Sequence, residues 1–203
     1  MEKIVNIIGM GASAKFTPKD NGENWGVNQV YKFQDIKLDK LFFMDSLSDV
    51  LKDENKIYRD YTFDKFLKEN PKVELISKTM DMVVDSTKAP NDENHIIGYI
   101  NEFPLAEAVD IIGGGYFTST IAYMVAYAIL QKVDRIRLYG FELWSGSDAN
   151  EYDFQRPCID FWLAVAIGKG IIVEVPYLLM QNITNNQNYY GYVKGELYQN
   201  RRS

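Results

Sequence analysis

Apolar residues in this chain gather in short β-branched runs broken by turn chemistry, and longer apolar helical stretches come only in its second half. Ile4-Val5-Asn6-Ile7-Ile8 stops at Gly9, the pattern of a strand buried on both faces. Thr17-Pro18 and Asn21-Gly22 follow closely, which leaves room for only a turn or so of helix before a second strand-like run, Trp25 to Tyr31. Leu41 to Asp45 reads as a third strand, and a helix is expected over 46–51. Tyr61, Phe63, Phe66 and Leu67 recur at helical spacing, and Val73 to Ile76 is a further short strand. Residues 81–95 mix apolar side chains with turn formers, so an exposed insertion able to act as a lid is expected there. Phe103 to Val109 begins a short helix with Pro104 in the tolerated first turn.

The most apolar stretch follows Gly113-Gly114-Gly115: a helix from Thr118 to Leu130 with almost no polar face, hence central and buried. Ile111 to Leu130 carries no charge, about the length of a membrane span. Three glycines and three hydroxyl residues fill its first half, so no span is expected. Ile136 to Trp144 is a strand running through Gly140, then comes a polar loop, a helix from Arg156-Pro157 to Gly168, and a strand from Ile171 that Pro176 halts. Residues 179–203 read as a C-terminal arm packing on the body or on a neighbouring subunit. This alternation predicts an α/β fold over 1–203, a single Rossmann-like parallel or mixed sheet with helices on both faces and an irregular first crossover.

Composition narrows the function. The 203 residues are 46% hydrophobic and 25% charged, ordinary for a globular protein. A net charge of −6 argues against gripping a nucleic-acid backbone, which needs clustered Lys and Arg. Cys158 is the only cysteine and His95 the only histidine, so neither a disulfide framework nor a two-His metal site can form within one chain. His95 reads as a structural or surface residue. Met1-Glu2-Lys3 enters a strand rather than a signal sequence, so a cytoplasmic protein is expected. The 14 tyrosines suit a core, a pocket or a subunit interface, and self-association into a homo-oligomer is expected.

Gly9-Met10-Gly11-Ala12-Ser13-Ala14 fits the G-x-G-x-x-G/A turn that cradles phosphate. Asp35 lies near the place of a ribose-binding acid, but the missing crossover helix argues against an NAD site. In parallel sheets ligands sit beyond the carboxyl ends of strands, and the first three strand-like runs are expected to offer Gly9 to Ser13, Asn28 and Asp45 to one crevice. Asp45 can equally cap the next helix. Thr118, Ser119 and Thr120 stand at the open end of the central helix, where free N–H groups and the helix dipole favour an anion; simple capping is the alternative. Glu142 and Trp144 sit at the carboxyl end of the strand that follows that helix.

The order and spacing of these motifs resemble the bacterial sialyltransferases of glycosyltransferase family 42, the related motility-accessory and pterin-pyrophosphokinase-like group, and small phage proteins of the same pattern. Gly9-Met10-Gly11-Ala12-Ser13 is similar to that family's G-x-G-P-S turn with Ala12 for proline, and Asn28-Gln29 to its C-N-Q setting. Thr118-Ser119-Thr120 matches T-S-G with Thr120 for glycine, and Ile136, Leu138, Gly140 and Glu142 match I-x-L-x-G-x-D. The resemblance implies that the glycine turn, the Asn and the Thr-Ser turn hold a nucleotide-activated sugar such as CMP-sialic acid. The family's catalytic histidine after the acidic strand is missing; Tyr152, Asp153, Gln155 and Arg156 occupy that segment. Asp153, Glu151 or Glu142 can serve as base and Arg156 can neutralise the leaving phosphate, unless they form only a salt-bridged loop and helix cap. Three functions stay open: a glycosyltransferase-like transferase, a pyrophosphokinase-like enzyme using Mg²⁺ on Asp45 and Glu142, and a non-catalytic protein that binds or sequesters a nucleotide. No cofactor is implied beyond that nucleotide or nucleotide-sugar, with Mg²⁺ in the second case alone.

Overall fold

A computed structural model describes residues 2–19, 21–33, 35–45, 61–85, 87–89, 91–92, 95–141 and 149–175, with the backbone alone over 149–154. The strands are β1 (Ile4–Ile8), β2 (Glu23–Val27), β3 (Lys40–Phe43), β4 (Glu74–Ser77), β5 (Asp81–Val84), β6 (Ile96–Glu102), β7 (Arg135–Tyr139) and β8 (Ile172–Glu174). They form one sheet in the order β5-β6-β4-β3-β2-β1-β7-β8. Every pairing is parallel except β5 with β6. The chain therefore winds outward from β1 through β2, β3 and β4, then returns to add β7 and β8 on the other side of β1, an α/β doubly wound arrangement.

Alternation along each strand feeds two cores, because successive side chains leave opposite faces. Val5, Ile7, Trp25, Phe42, Ile76, Ile136 and Leu138 face one side, where they meet helices α2 (Leu105–Asp110), α3 (Thr120–Leu130) and α4 (Ala149–Gly168). Ile8, Leu41, Phe43, Leu75 and Ile100 face the other, covered by helix α1 (Phe63–Glu69) and two 3-10 turns at Ala12–Phe16 and Asn28–Lys32. The first of these turns is the irregular crossover between β1 and β2. No helix among the described residues is long and apolar enough to cross a membrane.

Several boundaries differ from the sequence reading, each for a local reason. The second strand ends at Val27 rather than Tyr31; Val30 and Tyr31 stay apolar because the 3-10 turn buries them against α1. The last long helix starts at Ala149, so Pro157 lies inside it instead of opening it, and Asp153 is a helical residue rather than a loop residue. Residues 81–84, expected within an exposed insertion, form an edge strand paired with β6. The expected helix over 46–51 and the arm over 179–203 lie outside the described residues.

The direction of α3 decides what it can offer. Lys3, just before β1, donates through Nζ to the Gln131 carbonyl at 2.9 Å, and its own carbonyl accepts from Asp134 N at 2.8 Å. The carboxyl end of α3 thus lies at the amino edge of the sheet. Its 11 residues, at about 1.5 Å rise each, span roughly the height of a five-residue strand. The N-terminus of α3 therefore sits at the carboxyl edge.

Candidate functional site

The winding direction reverses between β1 and β7, and in such sheets the crevice for a ligand opens at that junction. Here main-chain atoms close it. Gly9 N donates to Tyr139 O at 2.7 Å and Gly11 N to Gly140 O at 2.9 Å, while Gly140 N donates to Ser13 Oγ at 2.7 Å. A Cβ on Gly9 would collide with the Gly140 carbonyl oxygen and the Phe141 ring, and one on Gly140 with the Gly9 carbonyl. The glycines of the fingerprint thus let two turns touch, and the Gly9 and Gly11 amides are spent on β7 rather than turned to a guest. Ser13, buried at 3% exposure, braces the contact. Ala12 opens the 3-10 turn and is exposed.

One strand further out, Asn28 and Asp45 come together. Asn28 Nδ2 makes a long hydrogen bond of 3.4 Å to Asp45 Oδ2. Asn28 has φ of 49°, a left-handed conformation uncommon for a side-chain-bearing residue, and such residues gather at functional sites. Its Oδ1 is buried and accepts no hydrogen bond. Asp45 thereby fixes which way the amide faces: nitrogen to the carboxylate, oxygen left over as an acceptor.

At the mouth of α3, Ser119 is the N-cap, and its Oγ accepts from Ala122 N at 3.3 Å. Thr118 N donates to Cys158 Sγ at 3.4 Å, and Thr120 is the first helical residue. The preceding loop is anchored on α4. Trp162 Nε1 donates to Tyr116 O at 2.6 Å, and Phe117 stacks between Trp162 and Tyr123, with centroids 4.8 and 4.3 Å away. Burial, followed by the nearby Cys158, pushes the Tyr123 phenol up from its ordinary value. The expected catalytic residues are further along. Arg156 Nε lies 3.8 Å from Asp160 Oδ2, one helical turn away. Glu142 lies outside the described residues, as does the side chain of Asp153. Among the described residues, no group of three or more His, Cys, Asp or Glu is placed to hold a metal ion.

A cavity of about 600 Å³ opens beside the first turn, against the second 3-10 turn. Met10, Gly11, Ala12 and Lys15 line one wall, and Lys32, Phe33, Asp35 and Ile36 the other. Its described lining does not include Asn28, Asp45 or Thr118 to Thr120.

No protein-family model and no curated protein matches the chain. Solved structures of a sialyltransferase do. These are CstII from Campylobacter jejuni with cytidine-5'-monophosphate and with CMP-3FNeuAc, and CST-II with a trisaccharide acceptor and CMP. Identity is 18–19%, coverage is 89% of this chain and 83–84% of theirs, and TM-scores run from 0.42 to 0.48. The likeness is one of overall chain path and carries no weight for the chemistry.

The motifs led to the glycine turn, Asn28, Asp45 and the mouth of α3, but not to Lys15, Lys32 or Phe33. One signal was there to read. Lys32 interrupts Val30-Tyr31-Lys32-Phe33, and a lysine inside an apolar run is one whose stem is buried. It is 5% exposed.

Proposed function

We propose that this protein is a transferase of the sialyltransferase-like kind, using a nucleotide-activated sugar bound along the carboxyl edge of the sheet. Asn28 carries the reading: a strained residue whose amide is oriented by Asp45 and whose buried oxygen awaits a donor, as a ribose or base would supply. The order of motifs from Gly9 to Glu142 gives the ligand class. In this reading Ala12, Thr118, Ser119 and Thr120 face the phosphate, with Gly9, Gly11 and Ser13 shaping the first turn. Asp153 or Glu142 takes the proton of the acceptor hydroxyl, and Arg156 leaves its weak surface pair with Asp160 to meet the leaving phosphate.

A second reading, a nucleotide-binding protein without turnover, is favoured by one observation. His95, the only histidine, directly precedes β6 and so lies at the amino edge, away from Asn28 and Asp45. Thermal unfolding with CMP, followed by assay of CMP-sialic acid hydrolysis, separates the two. A specific ligand at 100 times its Kd adds about 2.7 kcal/mol of stability. Asn28→Ala should cost roughly 1–3 kcal/mol of that binding by deleting its hydrogen bonds. Binding with turnover supports the transferase and binding without it the second reading. No stabilisation by CMP or another nucleoside phosphate overturns both.

A further inference from the structure

The sheet leaves one apolar face bare at its β5 end. Val83 and Ile100 point into the core under α1, so their neighbours Met82 and Tyr99, partners across the β5–β6 ladder, point the opposite way. Val84 and its partner Ile96 lie beside them, and Met80 continues the alternation. On this side α3 packs over β1, β2 and β3, and α4 packs against β8. The five side chains are 38–75% exposed, Met80 most of all, and none of them is charged. Their open surface adds to roughly 500 Å², the size at which a patch marks an interaction site. Methionine and aromatic side chains are also what interfaces concentrate. Beside the patch lies a cavity of about 330 Å³ that shares Ile96 and Tyr99 with it, and Leu67, Val73, Leu75 and Gly98 are among its other walls. The free edge of β5 is a poorer contact than this face. Asp81 Oδ1 accepts the Met82 N–H at 2.8 Å, and the ladder shifts register between Val83 and Val84; both features keep a further strand from adding there.

We infer that the bare face of β5 and β6 is a two-fold interface between two copies of this chain, packed face to face with their strands antiparallel. The axis crosses the strands at the Met82–Tyr99 pair. Met80 lies to one side of that pair and Ile96 with its cavity to the other, so Met80 of each copy enters the cavity of the other. An isologous contact requires such self-complementarity, with knob and hole on one patch. Two patches cover about 1,000 Å² in total, the lower limit of a specific interface. Other occupants fit less well. The patch offers no lysine or arginine to an anionic lipid surface. The chain beyond Val175 starts from β8, seven strand spacings of about 4.8 Å from β5. The interface uses none of the residues of the carboxyl-edge site, so it holds whether or not the protein is a transferase.

The test is sedimentation equilibrium of the full chain from 1 to 200 μM, with Met82→Glu, Tyr99→Ser and Ile167→Glu variants. All three positions are exposed, so each variant keeps its fold, which circular dichroism checks. The wild-type chain is expected to dimerise, with Met82→Glu and Tyr99→Ser each weakening the dimer tenfold or more. Ile167→Glu, on the exposed apolar side of α4, should leave it within twofold. Brief peroxide treatment read by peptide mass spectrometry adds a second measure: oxidation of Met80 should fall as protein concentration rises through the dimer range. A wild-type chain that stays monomeric at 200 μM overturns the inference. So does a dimer broken by Ile167→Glu and not by the β5–β6 variants, or a Met80 protected equally at every concentration, which would mean that the chain's own arm covers the patch.

Discussion

Gly140 and Gly113 share a left-handed backbone, at φ of +75° and +71°, but not a setting. A methyl group on Gly140 meets the Gly9 carbonyl, whereas one on Gly113 meets nothing within 4 Å. Gly113→Ala should therefore cost only the conformational penalty of about 1 kcal/mol. Gly140→Ala should add an overpacking cost of about 1–3 kcal/mol to that penalty. Urea unfolding of the two variants checks the difference, and equal losses would mean the turns after β1 and β7 do not touch. Asp85 makes a separate prediction. It is fully buried, pairs with Lys68 Nζ at 2.6 Å and accepts from Thr87 N and Oγ1 at 3.1 and 2.6 Å. The Lys68 hydrogen bond first, and those from Thr87 next, hold its carboxyl well below the ordinary aspartate range. A depressed folded value means this stabilisation is complete above the unfolded value and fades as pH falls through the folded one. Asp85→Asn should therefore lower the urea midpoint at neutral pH and narrow the gap to wild type below about pH 4, the ordinary aspartate range.

Among the elements, α3 was the easiest to read and β6 the hardest. Thr118 to Leu130 has almost no polar face, so its burial follows from its composition, and Ser119 does cap it. Ile96–Glu102 gave no sign of a strand because only Ile100 is buried; Gly98 and exposed Tyr99 break the alternation that marks a half-buried strand. Pro157 misled because proline more often opens a helix than interrupts one. The cavity lined by Lys15 and Lys32 was not legible for a different reason: Lys15 and Lys32 follow different strands, and only the parallel pairing of β1 with β2 makes their turns neighbours. Asp45 follows from the rule that strand ends carry ligands, whereas Asn28 falls inside the run Trp25 to Tyr31 and stands at a strand end only because the 3-10 turn stops β2 at Val27. The mouth of α3 depends on α4 as well as on its own cap. Ser119→Ala should cost about 1 kcal/mol of stability. Trp162→Phe removes the indole donor and leaves the Tyr116 carbonyl only the weak Cys158 thiol at 3.3 Å, which should cost about 1 kcal/mol. If that loop presents Thr118 and Ser119 to phosphate, Trp162→Phe should also weaken CMP binding. Nucleotide titration of the folded variant would show unchanged affinity if the loop is only structural.

For the molecule as a whole, the doubly wound sheet puts the ends of β1, β2, β3 and β7 and the start of α3 on one edge, which the alternation of runs already implied. What the sequence did not show is that the reversal point is shut. A dinucleotide that laid its pyrophosphate on the fingerprint turn would need amides that Gly9 and Gly11 already give to Tyr139 and Gly140. NAD at millimolar concentration should therefore leave the melting temperature unchanged while a nucleoside monophosphate raises it; an equal shift from both would mean that the junction opens.

That junction has a consequence for how this protein can change. Its bonds from Gly9 and Gly11 join peptide groups and so survive any change of side chain elsewhere, while Gly9 and Gly140 must stay without a Cβ and Ser13 must keep its hydroxyl for the turns to touch. With those positions held, selectivity can drift around Asn28 without the frame losing register.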